Sequence, residues 1–361
     1  LYKINKEWLS LEARATSLIF YLCLTKFNHE AMPDLSVSYL GLTLPGPIIA
    51  GSSGLTDKPE KIAELERCGA GAVVLKSIFE EEILNEYEQV MREEAPGRYK
   101  DDYLDYFDFR IKEVNLEQYL DLLRQSKRMV KIPVIGSINC TSSHEWTYFA
   151  EKIEAAGADA LELNIFILPG DPSYTAEQLE KAHLDIIQSV RNKLRIPISV
   201  KMSYYFTNLA GVINQLSRCN ISGLVLFNRF YTPDIDINRI QMTGGHVLSN
   251  PADLPISLRW IALMANKVKC DLAASTGVHD GQAVIKQLLA GASAVQVVSA
   301  LYENGPEYIQ IMLRDVRDWM IEKKFEKIDD FKGMLSQGRQ VNAALYERVQ
   351  FMKYFSDRGK N

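Results

Sequence analysis

From about residue 45 the chain alternates short, unbroken apolar runs with longer segments whose apolar positions recur every three to four residues. One kind of run opens on a proline or a basic residue: GPIIAGSS (46–53), IPVIGSIN (132–139), IPISVKMS (196–203) and KCDLAAST (269–276). The other opens at a glycine that closes the segment before it: GAGAVVLKS (69–77), GADALELNI (157–165), SGLVLFN (222–228) and GASAVQVVS (291–299). Continuous Val, Ile, Leu and Ala without polar alternation is the pattern of strands covered on both faces, hence of a parallel sheet. The segments between them predict helices with readable ends. DKPEKIAELERCG (57–69) starts at an Asp cap and stops at a Gly, and TAEQLEKAHLDIIQSVRNKL (175–194) opens as a capping box, Thr175 with Gln178. Strand and helix alternating eight times predict an α/β fold, a single (β/α)8 TIM barrel. A doubly wound sheet is the competing arrangement, but AGSSGLTD (50–57) lacks its GxGxxG turn.

Two stretches stand outside the repeat. Residues 78–115 are acidic and rich in Tyr and Phe, an insertion after the second strand that is expected either to form a lid over the barrel mouth or to pack as a solvated helix and loop on the rim. Residues 308–361 read as the last barrel helix and a charged helical tail. The expected organisation is an N-terminal appendage over 1–31, either upstream of the natural start or loosely attached, then a barrel over 32–335 and a C-terminal helical tail over 336–361.

Composition narrows the classes without choosing among them. With 361 residues, 41 basic against 46 acidic side chains and 47% hydrophobic residues, the chain is globular and gives no general reason to expect a nucleic-acid partner. Five scattered cysteines without a CxxC pair argue against a disulfide framework and a structural zinc site, and they favour a reducing, cytoplasmic setting. The five histidines show no metal-binding spacing, so no metal is expected. The longest apolar run, SLIFYLCL (17–24), is too short to span a membrane.

In a parallel barrel the chemistry sits where strands end. Those ends carry Ser52-Ser53-Gly54, Lys76-Ser77, Asn139, Asn164, Lys201, Asn228, Ser275-Thr276-Gly277 and Ser299. Two lysines and three asparagines closing apolar strands need partners that offset desolvation, and a ligand rich in carbonyls, ring nitrogens and phosphate would supply them. Lysines reaching the rim and asparagines capping turns would explain any one alone. Thr276 and Gly277 lead towards a helix N-terminus, which with Ser249 and Ser299 suggests a phosphate site.

At these residues the chain from about 33 to 333 resembles the dihydroorotate dehydrogenases. The order of IIAGSSG, VVLKS, LELN, PISVKMSYYF, LVLFN, LSNPA, STGVHDGQ, LLAGASAVQVVSAL and FEKIDDFKG matches that family. The resemblance implies FMN at the mouth of the barrel, a small-molecule dihydropyrimidine-like substrate oxidised at a CH–CH bond, a soluble electron acceptor and a homodimer. It implies cofactor contacts from Ser53, Gly54, Lys76, Ser77, Asn139, Asn164, Lys201, Ser249, Thr276, Gly277 and Ser299, with Lys201 beside the N1–C2=O edge of the flavin. It implies substrate contacts from Lys76, Asn164 and Asn228. One position departs from the pattern: the family carries a Cys or Ser base three residues after the asparagine matching Asn164, and Ile167 stands there. Weak or altered activity is therefore expected. The alternatives are an inactive FMN-binding protein of the same family and a flavin-free Schiff-base lyase on Lys201 or Lys76.

Overall fold

The computed structural model describes residues 32–80, 101–140, 143–229, 232–245 and 247–338. Eight parallel strands close on themselves: β3 (Ile48–Ala50), β4 (Ala72–Val74), β6 (Val134–Asn139), β7 (Ala160–Asn164), β8 (Ile198–Met202), β9 (Gly223–Leu226), β12 (Asp271–Ala274) and β13 (Ala294–Val297). Each pairs with the next, β13 pairs with β3, and Val73 opposite Val134 joins β4 to β6, so no barrel edge is left open. Every apolar run that predicted a strand contains one of the eight. A short extra strand, β5 (Ile78–Phe79), extends the sheet beside the upper half of β6, opposite Ile138 and Asn139.

The helices that cover the barrel are α1 (Pro59–Arg67), α2 (Asp101–Met129), α3 (Ser143–Ala155), α4 (Ala176–Arg191), α5 (Leu209–Leu216), α6 (Leu254–Met264), α7 (Gly281–Ala290), α8 (Ser299–Asn304) and α9 (Tyr308–Lys323). The capping box of α4 forms as the sequence predicts, Gln178 N donating to Thr175 Oγ1 and Thr175 N to Gln178 Oε1. The cap of α1 differs. Lys58 occupies that position because Pro59 needs no backbone donor, while Asp57 accepts from Lys61 at 2.8 Å. The helix expected over 116–129 begins at Asp101, so the insertion's second half is a continuation of that helix. Residues 81–100 of the proposed lid, and most of the proposed tail, lie outside the described residues, as does the N-terminal appendage.

A hairpin of β1 (Val37–Tyr39) and β2 (Leu42–Leu44) closes the N-terminal end of the barrel. Its turn residues Leu40 (φ 57°) and Gly41 (φ 76°) are both left-handed, the geometry that matches strand twist in a two-residue hairpin. Leu40 and Tyr39 are buried against the start of β9, where a Cβ on Gly223 would lie 2.5 Å from Leu40 Cδ2. Leu40 N donates to Asp271 Oδ2 at 2.8 Å and locks the plug to β12. With one end sealed, ligands reach the barrel axis from the C-terminal ends of the strands. A second hairpin, β10 (Pro233–Asp236) with β11 (Gln241–Gly244), rises from the loop after β9 on that open side. After α9 the chain runs back over the helices: Leu335 N donates to Leu289 O and Gln337 N to Ala262 O. No helix among the described residues is long and apolar enough to cross a membrane.

Candidate active site

Strand periodicity sends alternate residues into the barrel, and here several of those are polar. Ser137 on β6, Glu162 and Asn164 on β7, Ser199 and Lys201 on β8, and Gln296 on β13 are all buried. In register, Ser137 lies beside Glu162, Glu162 beside Ser199, and Asn164 beside Lys201, so the groups stack in two layers along the axis. Between the layers Gln296 acts as a bridge. Lys201 Nζ donates to Gln296 Oε1 at 2.9 Å, and Gln296 Nε2 donates to Glu162 Oε2 at 2.6 Å. The second Glu162 oxygen stands 4.0 Å from Lys201 Nζ and has no hydrogen-bond partner. Burial pushes the Glu162 carboxyl above its ordinary range, and the Lys201 ammonium and the Gln296 hydrogen bond oppose it.

One wall of the mouth is a chain of hydroxyls. Ser77 N donates to Ser52 Oγ at 2.9 Å, and the Ser77 hydroxyl lies 2.7 Å from that of Ser137. Tyr119 of α2 ends the chain, accepting from Ser137 N at 2.7 Å and donating to Ser137 O at 3.1 Å. Desolvation drives the Tyr119 phenol up, so it stays a neutral donor.

The opposite rim is built around consecutive left-handed residues, Thr276 (φ 77°) and Gly277 (φ 78°). Thr276 Oγ1 donates to Phe227 O at 3.1 Å, which holds a residue that L side chains rarely allow. Gly277 has no substitute, because a Cβ there would sit 2.2 Å from Leu254 N. Ser249 joins this turn to the last strand: its N donates to Ser299 Oγ at 2.8 Å, its hydroxyl to the same oxygen at 2.9 Å, and it accepts from Gly277 N at 3.3 Å.

A cavity of about 410 Å³ lies between these features. Ser53, Gly54, Lys201, Asn228, Ser249, Thr276, Gly277 and Ser299 all line it, together with Gln296 and Tyr302. Its size falls within the roughly 300–1,000 Å³ of ligand clefts. Ser77 and Asn139 are buried behind the wall, and Asn164 is reached through Asn228, whose Nδ2 donates to Asn164 Oδ1 at 2.6 Å. Lys76 closes the same strand end, its backbone N donating to Thr56 O. A second cavity of about 420 Å³ shares Asn228, Arg229, Ser275 and Thr276 with the first and adds Tyr204, Tyr205 and Phe227 together with polar groups such as Asn250 and Asp253. Ile167 is half-buried and packs on the core, between the exposed Phe166 and Leu168.

Two expectations change. The buried lysine and asparagines already have partners within the protein, Lys201 in Gln296 and Asn164 in Asn228, so their burial alone does not require a ligand. The helix after the Thr276-Gly277 turn starts at Gly281 with Asp280 as its cap, Asp280 Oδ1 accepting from Ala283 N. A carboxylate thus occupies the N-terminus that the sequence assigned to phosphate, and Ser249, Ser299 and Gly277 stand beside it as one hydrogen-bonded cluster. Glu162, Gln296, Tyr119 and Tyr302 were not singled out from sequence. A Glu between leucines (LELN) and a Gln between valines (AVQVV), each inside an apolar run, are the signals that could have found the first two.

Comparison with known proteins gives one result. The dihydroorotate dehydrogenase family model matches residues 34–320. A dihydroorotate dehydrogenase B (NAD(+)), catalytic subunit, of Thermoplasma volcanium is 28% identical over 318 residues, which cover 84% of this chain and 99% of the relative. A putative dihydroorotate dehydrogenase A (fumarate) of Aeropyrum pernix is 27% identical over 311 residues, 84% of this chain and 98% of the relative. A further B-type catalytic subunit, from Pyrococcus furiosus, is 25% identical over 308 residues, 83% of this chain and 98% of the relative. Because the match runs through every strand of the barrel and every lining residue of the cavity, the chain belongs to the dihydroorotate dehydrogenase family.

Proposed function

We propose that the protein is an FMN-dependent oxidoreductase that removes two hydrogens from the CH–CH bond of a dihydropyrimidine-like substrate, with turnover reduced at the proton-abstraction step. The observation that carries the reading is the two-ended polarity of the cavity: an ammonium on its floor and a cluster of hydroxyl and backbone N–H groups on its rim. These groups fit a flavin mononucleotide. Lys201 has three N–H donors, of which Gln296 takes one, leaving the others for ring carbonyl or nitrogen acceptors. Ser299 Oγ accepts from Ser249 N and Oγ and so keeps its own hydrogen for a phosphate, whose charge-assisted hydrogen bonds are about twice as strong as neutral ones.

Bound FMN would supply a two-electron acceptor. The chain's own residues do the rest. Lys201 places a fixed positive charge where negative charge grows during the reaction, the arrangement that lowers a barrier most effectively in a water-poor site. The Asn164–Asn228 pair fixes both amides, so that Asn228 Oδ1 and Asn164 Nδ2 meet the polar edge of a planar substrate as acceptor and donor. Ile167 has no atom that accepts a proton. A general base is worth about 10²–10⁴ in rate, so dihydroorotate oxidation is expected to be slower than in a base-containing relative by a factor of that order.

A second reading, an FMN-binding protein without dehydrogenase activity, is favoured by the same Ile167. Anaerobic mixing of the FMN-loaded protein with dihydroorotate separates them. Slow bleaching of the flavin supports the reduced-turnover enzyme, complete absence of bleaching supports the second reading, and bleaching at the rate of a base-containing relative refutes the assignment given to Ile167.

A further inference from the structure

Glu162 is a fully buried carboxyl beneath the ligand cavity that the reaction described above leaves unused. It does not line the cavity, yet it is linked to Lys201 through the oriented amide of Gln296, which accepts on one side and donates on the other. Its Oε1 faces Lys201 at 4.0 Å without a hydrogen-bond partner. The hydroxyls of Tyr39 and Ser199 are also buried without partners, and Ser199 is the register neighbour of Glu162. Orphaned buried groups of this kind are what ordered internal water usually bridges, which gives a proton a path to the carboxyl. The titratable groups that act on Glu162 are Lys201 from β8, Tyr39 from the plug and Tyr119 from α2, while Gln296, Ser137 and Ser199 carry no charge.

Resting on the FMN reading, we propose that Glu162 is a positioning residue that balances the charge of the site, ionised opposite Lys201 before substrate oxidation and protonated after it. Oxidation of the substrate would pass two electrons and one proton to bound FMN and release the substrate's second hydrogen as a proton to solvent, adding one negative charge to the cavity. Lys201 neutralises that charge and no longer offsets Glu162. The carboxylate then takes one proton from solvent, forming an O–H bond, and no covalent bond of the protein breaks. The site thereby gains two electrons and two protons with no net change in charge.

The pH dependence of the reduction potential of the FMN-loaded protein reads this proton directly. One proton per two electrons moves a two-electron potential by about 30 mV for each tenfold change in proton activity, and two protons move it by twice that. Between pH 6 and 8 the wild type is expected to show the two-proton slope and Glu162→Gln, which keeps the shape and loses the charge, the one-proton slope. Infrared difference spectra of the wild type, reduced minus oxidised, are expected to gain a protonated-carboxyl band and need no variant to fold. Equal slopes in the two proteins, or no carboxyl band in a wild type that has taken up FMN, would overturn the proposal while leaving the flavin reading intact. Failure of the wild type to take up FMN overturns both.

Discussion

Lys201→Met tests the electrostatics of the barrel floor without any ligand. The substitution keeps an unbranched side chain of similar bulk but removes the cation facing Glu162, whose carboxyl is 1% exposed with a hydrogen bond on one oxygen alone. A buried carboxylate without a counter-charge does not stay ionised; it binds a proton, and that limits the damage. The limit follows from the ordinary carboxyl value of 4.5, which is 2.5 pH units below neutrality. At about 1.4 kcal/mol per pH unit the ceiling is about 3.5 kcal/mol at pH 7. Protonation in the fold raises the folded value above the unfolded one, so the folded state binds more protons and stability falls as pH rises from the unfolded value. Urea unfolding of the flavin-free protein at pH 5, 6 and 7 is the assay. Against the double variant Glu162→Gln/Lys201→Met, which has no carboxyl to titrate, the single variant is expected to lose under about 1 kcal/mol at pH 5 and about 3 kcal/mol at pH 7. A deficit independent of pH, or a double variant no more stable than the single one, would refute the pairing of these residues.

Four further predictions address the rim, the loop and the outer shell. Gly277→Ala places a Cβ against the Leu254 backbone in a left-handed residue and is expected to lower stability by at least about 2 kcal/mol, measured by chemical denaturation. Ser249→Ala removes the hydroxyl that holds Ser299 Oγ at the proposed phosphate end, and a neutral hydrogen bond is worth about 0.5–1.5 kcal/mol, so FMN affinity measured by fluorescence quenching should fall by up to about tenfold. Ile167→Cys supplies a thiol at the position where the resemblance places the family's base and is expected to raise the rate of anaerobic flavin bleaching by dihydroorotate by up to the factor of about 10²–10⁴ that a base contributes; no increase would refute the proposed role of Ile167 in reducing turnover. His183, buried on α4 with Nδ1 on Leu179 O and Nε2 unpartnered, has its imidazole pushed below 6.5 chiefly by desolvation. The unfolded chain then binds the extra proton as pH falls through 6.5, so stability drops with acid in that window, and His183→Leu should flatten the loss.

Most of the barrel was legible because its strands are covered on both faces, which writes them as continuous apolar runs such as AVV at 72–74 and ALELN at 160–164. The β1–β2 plug was not, since its turn is Leu40-Gly41 rather than an Asn-Gly or Asp-Gly pair, and its strands are three residues each. The β10–β11 hairpin is exposed except at the half-buried Asp236, with no buried face to impose alternation on PDID and QMTG. At the site, strand ends were readable as positions but their pairings were not. That Asn228 bonds Asn164 and Lys201 bonds Gln296 depends on the barrel's closure, which brings residues 64 and 95 apart in sequence into contact. The Asp280 cap was readable in principle, since Asp three residues before Ala283 satisfies the donor that a phosphate would otherwise take.

The central claim, that the 410 Å³ cavity over Lys201 is a flavin site, is tested most directly by titrating the purified protein with FMN and following quenching of flavin fluorescence. The expected result is saturable uptake of one FMN per chain, weakened by Ser249→Ala and by Lys201→Met. An absence of uptake by the wild type, or uptake unaffected by both substitutions, would contradict it.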